Sequence, residues 1–168
     1  MFGRRHMAAL LPGALFLVAA CGSPPPRQPN PTRPLAERRA VQVIISSFHE
    51  QNAQPVPGRK VELPDGTPLQ IDVGSQGKKF GVAYITTAER TELGQALGPR
   101  DPSKGDALQL ARGKGVDADA RILILYDEDY LYDDHIGTEH EETTITAERK
   151  LSRDVRDFLV QAKAQRWP

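Results

Sequence analysis

The stretch ARILILY, Ala120–Tyr126, is the clearest indication of fold in this 168-residue chain. Apart from Arg121 it is a continuous apolar run, and its length suits a strand better than a helix. A short apolar run of this kind is typical of a strand buried inside a domain. We therefore predict a buried strand here and interpret the flanking segments around it.

Short strands are predicted on the amino-terminal side of this run. RKVEL and PLQIDV flank the turn PDGT, Pro64–Thr67, and the Asp-Gly pair in that turn favours a β-hairpin. The residues GSQG, Gly74–Gly77, indicate a second turn that leads into the strand-like run KKFGVAYIT. These patterns predict antiparallel pairing between neighbouring strands.

Helices are predicted at both ends of the domain and twice between them. The first begins near Thr32, Pro34 and Glu37, and its apolar residues recur at helical spacing: Ala40, Val41, Ile44, Ile45 and Phe48. The spacing of Thr86 and Glu89 is that of a capping box, which predicts a helix running to about Leu97.

Two further helices are predicted beyond that point. Residues 105–112 fit one short helix. The final helix is expected to be capped by Thr146 and to run to about Arg166, with one apolar face: Leu151, Val155, Phe158, Leu159 and Ala162. Together these patterns predict a small single α+β domain over residues 35–168, with a short, mostly antiparallel sheet packed against two main helices.

An acidic segment, Asp127–Glu142 (DEDYLYDDHIGTEHEE), follows the buried strand. It holds eight carboxylates and two histidines but no lysine or arginine. Carboxylates just past the end of a buried strand lie where α/β folds often place metal ligands and catalytic acids. The acidic segment is therefore the candidate functional site.

One interpretation of the acidic segment is a divalent-cation site for Ca²⁺ or Zn²⁺. Its candidate ligands carry carboxylate oxygens or imidazole nitrogens: Asp127, Asp129, Asp133, Asp134, His135 and His140. Neither an EF-hand loop nor an H-E-x-x-H motif is present in the sequence. A small metal-dependent hydrolase or secreted effector using this segment is the alternative function.

Two other interpretations involve no metal, and with them no cofactor is expected. The acidic segment can be a solvated loop, neutralised by a following helix in which residues 149–166 carry six basic and two acidic groups. It can also be a partner-binding surface, because tyrosine is enriched at interfaces and Tyr126, Tyr130 and Tyr132 lie within or beside it.

The amino terminus has the three parts of a secretory signal peptide. Arg4 and Arg5 precede the uncharged run AALLPGALFLVAA, residues 8–20, which ends in small residues before Cys21. Thirteen helical residues would reach about 20 Å, which is short for a membrane span. Residues 1–20 are therefore predicted to be cleaved.

The sequence VAAC, Val18–Cys21, resembles the lipobox of bacterial lipoproteins, and the resemblance covers residues 1–22 only. It implies cleavage before Cys21, diacylglycerol on its sulfur and usually acylation of the new amino terminus. Two or more acyl chains anchor a protein stably. Gly22, in the place where aspartate favours inner-membrane retention, implies the outer membrane, with the domain facing the periplasm or the cell surface.

The residues after Cys21 predict a tether and limit the classes of partner. Residues 22–34, GSPPPRQPNPTRP, contain six prolines and favour extended polyproline II conformation. Without residues 1–20 the chain has 20 basic and 22 acidic residues, which gives no overall attraction to nucleic acid. We expect a non-catalytic binding or accessory component, joined to the bilayer through Cys21 and to an envelope protein partner.

Overall fold

The computed structural model describes residues 32–99, 108–133 and 143–168. These ranges contain nine strands: β1 Thr32–Pro34, β2 Pro55–Pro57, β3 Lys60–Glu62, β4 Pro68–Gln70, β5 Val73–Ser75, β6 Phe80–Ile85, β7 Gln109–Ala111, β8 Arg121–Tyr126 and β9 Leu131–Asp133. They also contain three helices: α1 Glu37–Glu50, α2 Thr87–Leu93 and α3 Thr144–Ala164. None of these helices combines the length and apolarity needed to span a bilayer.

The central sheet has five strands in the order β2-β5-β6-β8-β7. Strands β6 and β8 run parallel, in register from Phe80 opposite Arg121 to Ile85 opposite Tyr126, and the other three pairs are antiparallel. The pairs β1–β9 and β3–β4 each form a separate antiparallel ribbon. The predicted α+β class is confirmed, with a mostly antiparallel sheet and two main helices.

Helices α1 and α3 cover one face of the central sheet and run parallel to each other. Three contacts follow both helices from start to end: Arg39 with Glu148, Ser47 with Ser152, and Lys163 with the Gln51 carbonyl. Beneath them, Leu123 and Leu125 of β8 join the same apolar core as Ile44, Phe48, Val155 and Phe158. Both helices therefore end on the same side of the molecule.

The opposite face of the sheet is covered by the β3–β4 hairpin and α2. Ile122, Ile124 and Tyr126 of β8 pack there with Val61 and Leu69 of the hairpin. Strand β8 is thus buried on both faces, and the prediction from ARILILY is confirmed. The predicted PDGT hairpin is confirmed too, with Val61 opposite Leu69.

The prediction of a short helix over residues 105–112 is wrong for its described part. Gln109–Ala111 form strand β7, which pairs antiparallel with Ile122–Ile124 of β8. Leu110 packs toward the helix-covered core and Ala111 toward the hairpin-covered core, as the alternation of a strand requires. The backbone groups along this edge of β8 need partners, and that need outweighs the helical preference of LQLAR.

Helix boundaries differ from the predictions at three places. Thr143, not Thr146, caps α3, since its Oγ1 accepts a hydrogen bond from the amide of Thr146 at 3.1 Å. The capping box of Thr86 and Glu89 is present, but α2 ends at Leu93 because Gly94 adopts a left-handed φ of 55°. Helix α1 does begin at Glu37, whereas residues 32–34 form β1 rather than the start of the helix.

Candidate functional site

The acidic segment begins at the carboxyl edge of the parallel pair β6–β8. Because parallel strands end at the same edge, Asp127 after β8 comes to lie beside Thr87, the first residue of α2 after β6. Residues 127–129 form one 3-10 turn, and β9 follows at Leu131. This is the position at which the sequence predicted chemistry.

Asp127 is held by hydrogen bonds inside the fold. Its side chain is only 7% exposed, and its carboxylate accepts a hydrogen bond from the Thr87 amide at 3.0 Å. The Thr87 hydroxyl also contacts both carboxylate oxygens, at 3.0 and 3.2 Å. Asp127 therefore joins the end of β8 to the start of α2, which is a structural role.

The next two acidic residues, Glu128 and Asp129, have basic neighbours. Glu128 forms an ion pair with Arg90, and the guanidinium of Arg90 lies over the Tyr126 ring, 5.0 Å from its centroid. The main-chain carbonyl of Asp129 accepts a hydrogen bond from Lys150 Nζ at 2.9 Å. Basic residues of α2 and α3 thus lie beside the acidic segment.

The three tyrosines have different environments. Tyr126 and Tyr130 are 5% and 2% exposed and belong to the two apolar cores. The Tyr130 hydroxyl donates to Asp154 Oδ2 at 2.9 Å, and burial together with that carboxylate raises the pKa of Tyr130 above its ordinary value. Tyr132 is half-buried and carries Arg33 over its ring at 5.2 Å, so it alone of the three offers surface to a partner.

Strand β1 brings the amino-terminal side of the chain to the acidic segment. Thr32, Arg33 and Pro34 pair with Asp133, Tyr132 and Leu131 of β9. The amide of Leu35 continues this contact by donating to the Tyr130 carbonyl at 3.0 Å. The chain therefore enters the folded body beside the candidate site.

Of the predicted metal ligands, Asp134, His135 and His140 lie outside the described residues. Within residues 32–99, 108–133 and 143–168, no group of three or more histidine, cysteine, aspartate or glutamate side chains is placed to share a metal ion. Asp127 is bonded to Thr87, and Asp129 and Asp133 also have interactions. A site for Ca²⁺ or Zn²⁺ stays a prediction, which a metal-dependent rise in melting temperature would test.

Asp72 is the carboxylate with the most perturbed acidity among the described residues, and the sequence places it in no recognisable motif. Burial raises its pKa to about 6, and the negative charges of Glu37 and Glu89 add to this effect. The only signal in the sequence was a lone aspartate between the apolar residues Ile71 and Val73. A carboxyl group with this pKa exchanges a proton near neutral pH.

The described part of the site is thus an acidic edge of the sheet whose side chains mostly bind residues of α2 and α3. Asp127 is engaged by Thr87, Glu128 by Arg90, and Tyr130 by Asp154. Such an arrangement stabilises the junction of β8, α2 and α3 and leaves Tyr132 at its surface. Comparisons with protein-family models, curated proteins and solved structures found no match to this chain.

Proposed function

We propose that this chain is an envelope lipoprotein, anchored by acyl chains on Cys21, whose folded body acts by binding as an accessory component. The support for the anchor is the order of residues 1–34: basic start, apolar run, VAAC and a proline-rich tether. A tether of this composition is extended by about 3 Å per residue. It would allow the domain to reach a partner away from the bilayer.

The observation that favours binding over catalysis is the state of Asp127. A catalytic carboxylate or metal ligand has to present an oxygen to the reacting group. Both oxygens of Asp127 instead accept hydrogen bonds from Thr87, and the side chain is buried. The best-placed carboxylate of the acidic segment is thus committed to the fold.

The contact surface that we propose is the exposed side of β9 together with the first turns of α3. It combines Tyr132 with exposed cations of the helix, Arg149 and Arg153. A half-exposed tyrosine surrounded by charged side chains is a common composition for a protein interface. In an anchored chain this surface would lie where the tether joins the domain, because β1 pairs with β9.

The anchor is tested with the full chain expressed in a Gram-negative host. Mass spectrometry of the mature protein should find an amino-terminal Cys21 carrying diacylglycerol, recovered in the membrane fraction. Cys21→Ser should accumulate as an unprocessed precursor, whereas Ser23→Ala, two residues away, should mature normally. A free thiol on the mature protein, or normal maturation of Cys21→Ser, would refute the anchor.

The contact surface is tested by photo-crosslinking in the same host. A photoreactive residue at position 132 or 149 should give a discrete protein adduct. The control position is 116, because Val116 is highly exposed and lies beyond the amino-terminal end of β8, away from β9. The absence of an adduct at positions 132 and 149, or the same adduct from position 116, would contradict the proposed surface.

A further inference from the structure

A cleft of about 570 Å³ lies where α1 and α3 end. Its walls are the residues after α1, the last turn of α3 and the turn between β5 and β6. Small-molecule sites are commonly clefts of about 300–1,000 Å³. This volume is therefore that of a site for a small ligand, and we call it the cationic cleft.

The charge of the cationic cleft is one-sided. Lys78, Lys163 and Arg166 line it, and none of the residues that line it is aspartate or glutamate. Lys163 donates to the carbonyl of Gln51 at the end of α1. Neither Lys78 nor Arg166 has a side-chain hydrogen bond or ion pair within the described part of the chain, so two positive charges remain available to a ligand.

Helix carboxyl ends normally repel anions, but here several of their carbonyls already accept hydrogen bonds. Lys163 and the amide of Ala53 bind carbonyls at the end of α1, while the amide of Trp167 donates to Ala162 at 3.0 Å at the end of α3. Asn52 and Arg166 close the two helices with φ of 53° and 52°, the left-handed non-glycine residues of the described chain. Both also line the cleft.

Three side-chain amides lie in the neutral part of the lining, beside Ser75 and the apolar residues Ala53, Phe80 and Ala162. Asn52, Gln54 and Gln76 each supply an NH₂ donor and a carbonyl acceptor. The backbone N–H of Gln76 donates to the backbone carbonyl of Gln54 at 2.9 Å, and this bond holds the two segments together. Paired donors and acceptors of this kind suit the hydroxyl groups of a sugar, since each hydroxyl both donates and accepts.

We propose that the cationic cleft binds a small polyhydroxylated anion, either a sugar phosphate or a sugar acid. Lys78 and Arg166 bind the oxyanion, and the amides of Asn52, Gln54 and Gln76 bind the hydroxyl groups. Phosphate and carboxylate share the property that the cations recognise, namely negatively charged oxygens that accept several hydrogen bonds.

The position of the cationic cleft separates this inference from the anchor. Strand β1 enters the fold at the start of α1, and the cleft lies at its end; the 14 residues of α1 span about 21 Å. The cleft and the point where the tether joins the fold therefore lie at opposite ends of α1. Binding does not depend on Cys21, so either proposal can fail while the other holds.

The experiment measures binding to the full chain in detergent micelles, by calorimetry and by ¹⁵N amide shifts. The probes are glucose 6-phosphate, glucuronate and neutral glucose. We expect at least one anion to bind about tenfold more tightly than glucose and to shift amides near Lys78 and Arg166. Binding of one anion alone identifies the oxyanion as phosphate or carboxylate. The proposal is overturned if neither anion binds more tightly than glucose, or if the shifts lie elsewhere.

Variants separate a specific site from general attraction between charges. Lys78→Gln and Arg166→Asn should each weaken binding of the anion about tenfold, and asparagine tolerates the left-handed backbone at position 166. Arg38→Gln is the matched control, because it removes an exposed positive charge at the start of α1, the end of that helix away from the cleft. Melting temperatures check that all three variants are folded, and equal weakening by Arg38→Gln would contradict the proposal.

Discussion

The carboxylate of Asp72 accepts a hydrogen bond from the backbone amide of Tyr84, with 2.7 Å between Oδ2 and nitrogen. The side chain takes the place of a strand carbonyl where the β5–β6 ladder ends at Val73 and Val82. Burial nevertheless opposes the charge on this carboxylate more strongly than the hydrogen bond favours it, and the pKa of Asp72 rises to about 6.

The raised pKa of Asp72 predicts a pH dependence of stability. Between its ordinary value of about 3.9 and its folded value of about 6, the folded state binds the proton more tightly than the unfolded state. The stabilising contribution is therefore complete below about pH 4 and lost as pH rises through about 6. Asp72→Asn keeps an acceptor for Tyr84 but cannot ionise, so it should be more stable than the wild type at pH 7.5 by about 1 kcal/mol.

Urea denaturation at several pH values between 4 and 8 checks this prediction. The difference in free energy of unfolding between Asp72→Asn and the wild type should grow with pH through this window. Asp119→Asn is the matched control, because the Asp119 side chain is 71% exposed and should show little such change. Parallel stability curves for Asp72→Asn and the wild type would show that Asp72 does not titrate as described.

Asp127 should matter to stability through Thr87. Asp127→Ala removes the acceptor of the Thr87 amide in a buried setting and should cost about 1–3 kcal/mol. Glu128→Ala breaks the half-exposed pair with Arg90 and should cost less than about 1 kcal/mol. Denaturant midpoints measure both, and a cost for Asp127→Ala no larger than that for Glu128→Ala would deny Asp127 its structural role.

Phe158 should be among the most sensitive positions in the apolar core. It is fully buried and lies edge-on to Phe80 at 5.9 Å and beside Trp167 at 5.6 Å. Phe158→Ala should cost about 3–5 kcal/mol, because a cavity opens under α3. Val160→Ala, on the same helix but 51% exposed, should change stability by less than about 0.5 kcal/mol. Fluorescence of Trp167, the single tryptophan, follows unfolding in both variants, and similar costs would contradict this packing.

Gly58 is required by a close approach of two backbone segments. A Cβ at this position would lie 1.6 Å from the Ile71 carbonyl oxygen, so Gly58→Ala would force the two backbone segments apart. We expect a cost of about 3 kcal/mol or more. Gly77→Ala is the comparison, since Gly77 has open space but a φ of 68°, and should cost about 1 kcal/mol. Equal melting temperatures for the two variants would contradict the close approach of these two backbone segments.

Several elements could be predicted because their partners lie close in the sequence. The PDGT turn places Val61 beside Leu69, and Thr86 and Glu89 cap α2 across three residues. The apolar run ARILILY became β8 because a continuous apolar segment of strand length is soluble only when both of its faces are covered.

Local sequence patterns gave wrong predictions where two local structures had similar energies. Thr143 and Thr146 can both cap a helix, and the contact of Ala147 with the core accompanies the earlier start. Gln109–Ala111 have good helix formers on both sides, yet the exposed edge of β8 required hydrogen-bond partners. In both cases the deciding contact lies outside the segment itself.

The sequence alone determined which residues make up the candidate site, but not which contacts their side chains form. The sequence identified the acidic segment as the candidate site. Only the fold shows that Asp127 is hydrogen-bonded to Thr87, 40 residues away, and Tyr130 to Asp154. The raised pKa of Asp72 and the grouping of Lys78 with Arg166 likewise depend on segments distant in the chain. Periodicity and turn residues encode local structure through neighbours, whereas burial and electrostatic environment are set by residues that only chain folding brings together.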